Sequence, residues 1–130
     1  MKLRVGLSAV VVLASLALNV AIAEEHPPVK VGSTSKGPTL LDAKGMTLYT
    51  FDKDSDGKSA CNGPCAGNWP ALKADGNAKS SGGYTAVKRD DGTMQWAYKG
   101  KPLYTWVNDT KPGDTTGDGF LNGAWHVAQP

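Results

Sequence analysis

Residues 45–54 read "GMTLYTFDKD" and residues 100–109 read "GKPLYTWVND". Lys44 aligns with Lys99, Gly45 with Gly100, Leu48 with Leu103, Tyr49 with Tyr104 and Thr50 with Thr105. Phe51 aligns with Trp106 and Asp54 with Asp109, while Trp69 in "NWPAL" parallels Trp125 in "AWHVA". Self-similarity at a fixed period marks a repeat architecture. The spacing predicts two tandem units, about 29–80 and about 84–130, joined by the small-residue stretch "ADGNAKSSGG" at 74–83.

Each phrase has the alternation of a strand. Tyr49 and Phe51 share one face, as do Tyr104 and Trp106, and β-branched and aromatic residues suit a half-buried pleated surface. In "MQWAY", Met94, Trp96 and Tyr98 lie together against Gln95 and Ala97. "KGKP" supplies a glycine turn into "LYTWV", and "DAKG" does the same before "MTLYTF". No segment after residue 23 carries apolar residues at helical spacing over a useful length. The predicted class is a mostly β, small antiparallel domain of two pseudo-symmetric repeats. One hairpin is marginal alone in water, so each copy is expected to cover the other's apolar face.

The chain opens with Lys2 and Arg4 before an apolar run, and Ala21 and Ala23 form a small-x-small site. This is the pattern of a secretory signal peptide over residues 1–23, cleaved after Ala23, leaving 24–130 as one domain in the periplasm or outside the cell. No cysteine stands at the cleavage site to accept a lipid, so no stable membrane anchor is expected after cleavage. Removing 23 of 130 residues leaves 107, and the loss of Lys2 and Arg4 leaves 12 basic against 12 acidic side chains. A nucleic-acid partner is not expected of a chain without a basic surplus.

Cys61 and Cys65 are the only cysteines, separated by Asn62-Gly63-Pro64, residues that suit a tight turn. Export predicts a structural disulfide. The spacing fits neither the C-x-x-C of a thioredoxin-type pair nor covalent haem attachment.

Together "LYTFDKD", "CNGPCAGNWPAL", "DGTMQWAYKGKPLYTWVND" and "GDTTGDGFLNGAWHVA" resemble the bacterial secreted-repeat lipoproteins, over about residues 29–128. That family carries a twice-used Tyr-x-aromatic-x-x-Asp motif, matched here by Tyr49-Phe51-Asp54 and Tyr104-Trp106-Asp109. The resemblance implies an exported protein of unknown function. It supplies no catalytic residues, and the missing lipidation cysteine points to a soluble rather than an anchored member.

The chemistry written into the chain is sparse. Asp52, Asp54 and Asp56, followed by Gly57, form the opening half of an EF-hand-type calcium loop. Gly63 stands where the bidentate Glu is required, so turn chemistry competes with calcium for these residues. His26, His126, Met46 and Met94 give thin support for a redox metal, with His126 the nearest candidate. No hydrolase or metalloprotease motif is present. The sequence therefore points to a non-enzymatic envelope protein that binds a small molecule or a partner protein through Tyr49, Phe51, Tyr104 and Trp106, with no cofactor. A periplasmic metal-linked protein, with calcium on Asp52, Asp54 and Asp56 or a redox metal near His126, is the alternative.

Overall fold

The computed structural model describes residues 26–130. The expected signal peptide and its expected cleavage point lie outside the described residues.

Strands β1 (Val29–Thr34) and β2 (Gly37–Asp42) form an antiparallel hairpin with Val31 opposite Leu40. The turn out of β2 is shaped by Asp42, whose Oδ1 accepts the amides of Lys44 and Met46, each at 2.9 Å. The chain then returns through Leu48 into β3 (Tyr49–Phe51). A five-residue helix, α1 (Pro64–Asn68), and the short β4 (Lys73–Ala74) end the first copy. The second copy repeats the plan. Strands β5 (Tyr84–Lys88) and β6 (Met94–Tyr98) pair, and a two-residue turn at Lys99-Gly100 leads into β7 (Lys101–Pro102). Lys99 and Gly100 have φ of 49° and 81°, the left-handed pair that matches the twist of a two-residue hairpin. Both predicted glycine turns are formed. The first is one residue longer, because Asp42 pairs with Met46 whereas Tyr98 pairs with Lys101.

The copies are bound together at two levels. At the centre the amide of Tyr49 donates to the carbonyl of Tyr104 at 2.8 Å and the amide of Tyr104 donates back at 3.0 Å. At the periphery each copy closes a ring of three backbone hydrogen bonds with the tail of the other. Leu48 donates to Leu40, Leu40 to Ala128 and Ala128 back to Leu48, at 3.0, 2.9 and 2.8 Å. Leu103 donates to Trp96, Trp96 to Leu72 and Leu72 back to Leu103, at 2.9, 2.8 and 2.9 Å. Thus β8 (Trp125–Val127), from the second copy, pairs with β3 of the first, and β4 of the first pairs with β6 of the second. Exchanging tails satisfies backbone groups that neither hairpin could satisfy alone.

The core has two parts. Leu40, Leu48, Leu103 and Ala128 form one buried cluster, with Val29, Leu72, Tyr84 and Tyr98 packed against it. Tyr49, Phe51, Trp69, Tyr104, Trp106 and Trp125 form an aromatic centre with Cys61 and Val127. Cys61 and Cys65 are disulfide-bonded, with Cα atoms 5.2 Å apart, and the bridge packs against this centre. Strand β6 departs from a simple alternation: Trp96 and Ala97 are buried on opposite faces, and Gln95 is buried too. Gln95 Nε2 donates to the Leu103 carbonyl and its Oε1 accepts from Arg89, so the buried amide is satisfied. No helix among the described residues is long and apolar enough to cross a membrane.

Candidate functional site

Asp54 lies just past β3, whereas the second phrase forms no strand beyond β7 and holds its place through bridges of Tyr104 to Tyr49 and Ala71. Asp109 lies beyond it, and each aspartate fixes a loop. Asp54 Oδ1 accepts the Ala60 amide at 2.7 Å, and Asp109 Oδ1 accepts the Thr116 amide at 3.0 Å and its hydroxyl at 2.6 Å. The remaining oxygen of each carboxylate reaches into the other copy. Tyr49 donates its hydroxyl to Asp109 Oδ2 and Tyr104 donates to Asp54 Oδ2, both at 2.6 Å. The motif is therefore read across the repeat, tyrosine of one copy to aspartate of the next. Ser59 joins Tyr104 to the buried Arg89, whose guanidinium also donates to the Cys61 carbonyl at 2.6 Å. Burial is the main cause that raises the Asp54 carboxyl above its ordinary value.

Burial, reinforced by the bond to a carboxylate, pushes both phenols well above their usual value near 10. A raised folded value means that the stabilisation is complete below pH 10 and is lost as pH rises beyond it. Tyr49 and Tyr104 should thus give no tyrosinate absorbance until the protein unfolds in alkali. A spectrophotometric titration that ionised all four tyrosines with secondary structure intact would contradict this.

The aromatic rings form a continuous column. Trp106 stacks on Trp69 with centroids 4.1 Å apart, Trp69 on Trp125 at 3.8 Å and Trp125 on Phe51 at 4.1 Å. Tyr49 meets Trp69 edge-on and Tyr104 meets Trp125 edge-on, at 5.2 and 5.0 Å. Tyr49, Phe51, Tyr104 and Trp106 are thereby all buried. The contact surface expected of them is not where they stand; Phe51 and Trp106 each reach only the wall of a groove.

Those two grooves are equivalent under the repeat. One, of about 330 Å³, lies against Thr50, Phe51 and Asp54, facing the Lys99–Pro102 turn. The other, of about 240 Å³, lies against Thr105, Trp106 and Asp109, facing Lys44–Thr47. Their turn glycines are clamped alike. Gly100 accepts from the Gly57 amide and Gly45 from the Gly113 amide, at 2.9 and 3.2 Å. Asp56 Oδ1 would lie 1.8 Å from a methyl group on Gly100, so a side chain there would displace this exposed carboxylate, and the positive φ of 81° favours glycine in its own right.

What differs is the chemistry of the walls. Where the first groove has Asp52 and Lys101, the second has Val107 and Met46. The first also opens into an adjoining hollow of about 360 Å³ shared through Thr50, Asp52 and Lys101, and walled by Tyr98, His126 and Gln129. Cross-strand pairing sets His126 opposite Thr50, and His126 Nε2 lies 2.7 Å from Asp52 Oδ2 with both side chains exposed. Beside the second groove Pro70, from the tail of the first copy, occupies the place of His126, its carbonyl accepting the amide of Thr105 at 2.9 Å.

The fold, the swapped Tyr–Asp bonds and the paired grooves all follow the twofold repetition of the sequence. A family described as a secreted repeat of unknown function matches residues 30–73 and again residues 85–129. The chain belongs to the secreted-repeat family. Its two matched segments are the two copies, and the family's description accords with a secreted protein. No curated protein and no solved structure matches the chain.

Within this secreted-repeat protein the calcium reading of the first aspartate loop finds its three residues separately engaged. Asp52 pairs with His126, Asp54 with Tyr104 and Ala60, and Asp56 sits on Gly100. No group of three or more His, Cys, Asp or Glu side chains placed to hold a metal ion occurs among the described residues. His26 is at the first described position, and Met46 and Met94 are half-buried in or beside strands. Reading single motifs missed Thr50, Tyr98 and Lys101. Comparing the copies position by position finds Asp52 against Val107 and His126 against Pro70, which is the available signal.

Proposed function

We propose that this is an exported, non-enzymatic binding module of the cell envelope, acting in the periplasm or outside the cell after cleavage following Ala23. It takes a small polar ligand, or a polar segment of an envelope partner, in the composite groove around Thr50, Asp52, Tyr98, Lys101 and His126. The observation that carries this reading is the divergence of two otherwise equivalent grooves. Both copies keep the residues that build the scaffold, and the second groove keeps Asp42, Lys44 and Asp109 on its wall, but the set of Asp52, Lys101 and His126 has no charged counterpart there. A hollow of this size with a few polar groups on its walls falls within the range of small-molecule sites. The exposed His126–Asp52 pair contributes little to stability, about 0–1 kcal/mol, and so is free to serve recognition.

The test replaces the first groove's charged residues by those of the second, Asp52→Val with Lys101→Met. Exposed changes of this kind are expected to alter stability by no more than about 0.5 kcal/mol each. Amide shifts on titration with fractionated low-molecular-weight envelope extract should centre on Thr50, Asp52 and His126 and vanish in the double variant. Shifts centred on Trp106 and Val107, or surviving the double change, would refute the assignment.

A further inference from the structure

We propose that the aromatic column is a one-electron relay, carrying an oxidising equivalent from the Trp106 edge to a Tyr–carboxylate pair. This rests on the core and is independent of the groove reading. Three indoles stand face to face, Trp106, Trp69 and Trp125, with successive centroids 4.1 and 3.8 Å apart and the inner pair 2° from parallel. Trp106 borders the second groove, where an external oxidant can approach. Indole and phenol are the two ordinary side-chain rings that give up one electron most readily. Phe51, at the far end of the column, lacks that property and ends it.

Each inner indole has a phenol edge-on to it, and each phenol already donates its proton to a carboxylate at 2.6 Å. Packing alone asks for ring contact. A carboxylate aligned on the hydroxyl adds a proton acceptor, which makes electron loss from a phenol feasible in a buried place where a bare phenol radical cation would be costly. Burial and the carboxylate keep both phenols protonated at rest, so that proton is available for transfer.

A one-electron oxidant, such as an oxygen-centred radical, takes an electron from Trp106 and is reduced. Trp69 refills Trp106, and Tyr49 refills Trp69. As it does so, the Tyr49 O–H bond breaks and an O–H bond forms at Asp109 Oδ2. The products are a neutral tyrosyl radical and a neutral carboxylic acid. Trp125, Tyr104 and Asp54 form the equivalent branch. An external one-electron reductant reverses the sequence, and the carboxyl returns its proton.

The test uses a Tyr84→Phe, Tyr98→Phe background, which removes the two tyrosines outside the column and leaves its contacts untouched. A photogenerated ruthenium(III) complex serves as the oxidant. Electron paramagnetic resonance is expected to show a neutral tyrosyl radical, formed more slowly in deuterated water. Ring-deuterated tyrosine should alter its hyperfine pattern. Trp106→Phe, which keeps a ring in place, should lower its yield several-fold. A radical confined to tryptophan, no protein radical at all, or an unchanged yield in Trp106→Phe would overturn the proposal.

Discussion

Replacing Trp69 by alanine is expected to cost about 3–5 kcal/mol, the scale of truncating a buried large aromatic residue. Trp69 lies at the middle of the column, between Trp106 and Trp125, with Tyr49 against its edge. Gly117 closes over it, so closely that a methyl group there would lie 2.6 Å from the indole. Tyr49 is held in place by its bonds to Asp109 and the Gly117 amide and cannot collapse into the space, which places the cost in the upper part of the range. Domains have only about 5–15 kcal/mol in total, so a large share of the stability rests on this side chain. Trp125, its partner under the repeat, is equally buried, and Trp125→Ala should cost a similar amount. Denaturant unfolding measures both. A loss below about 1 kcal/mol for either would show that the column is peripheral to stability.

The second large effect is expected at Asp109. Asp109→Ala removes the acceptor of the Tyr49 hydroxyl and frees the Thr116 amide and hydroxyl. A buried phenol proton left without an acceptor costs about 1–3 kcal/mol, and the two Thr116 bonds bring the expected loss toward the top of that range. Tyr49→Phe removes the donor instead and should cost less, because the carboxylate keeps its Thr116 partners. Thermal melts of the two variants give the order; equal losses would contradict it. Asp54 adds a pH dependence of definite sign. Its raised carboxyl contributes stability that is complete below the ordinary value of 3.8 and is lost as pH rises through the raised one. Mild acid therefore does not weaken the fold through Asp54.

The doubled phrase was sufficient to read a β domain of two copies and the glycine turns, and the Cys61–Cys65 bridge was legible in the spacing of the two cysteines in a chain expected to be exported. Asp54 and Asp109, matched in the two phrases, both accept backbone amides. The exchange between copies was not readable, because strand alternation describes the faces of one strand and is silent about which copy supplies its neighbour. Nothing in "LYTF" says that Tyr49 bonds to Asp109 rather than to Asp54. For the same reason Gln95 reads as a solvent-facing residue of an alternating strand, although Arg89 and the Leu103 carbonyl hold it in the core. The aromatic residues had two readings in the sequence, core or contact surface. Their burial follows from stacking across the repeat, which turns four rings from two copies into one column.

The central claim is that neither copy is a folding unit, since each ring of backbone bonds is closed by the other copy's tail. The direct measurement is circular dichroism and thermal melting of residues 26–80 and 84–130 prepared as separate chains. Each alone is expected to be unfolded, and an equimolar mixture should recover a cooperative melt. A cooperative transition from either half by itself would contradict the account.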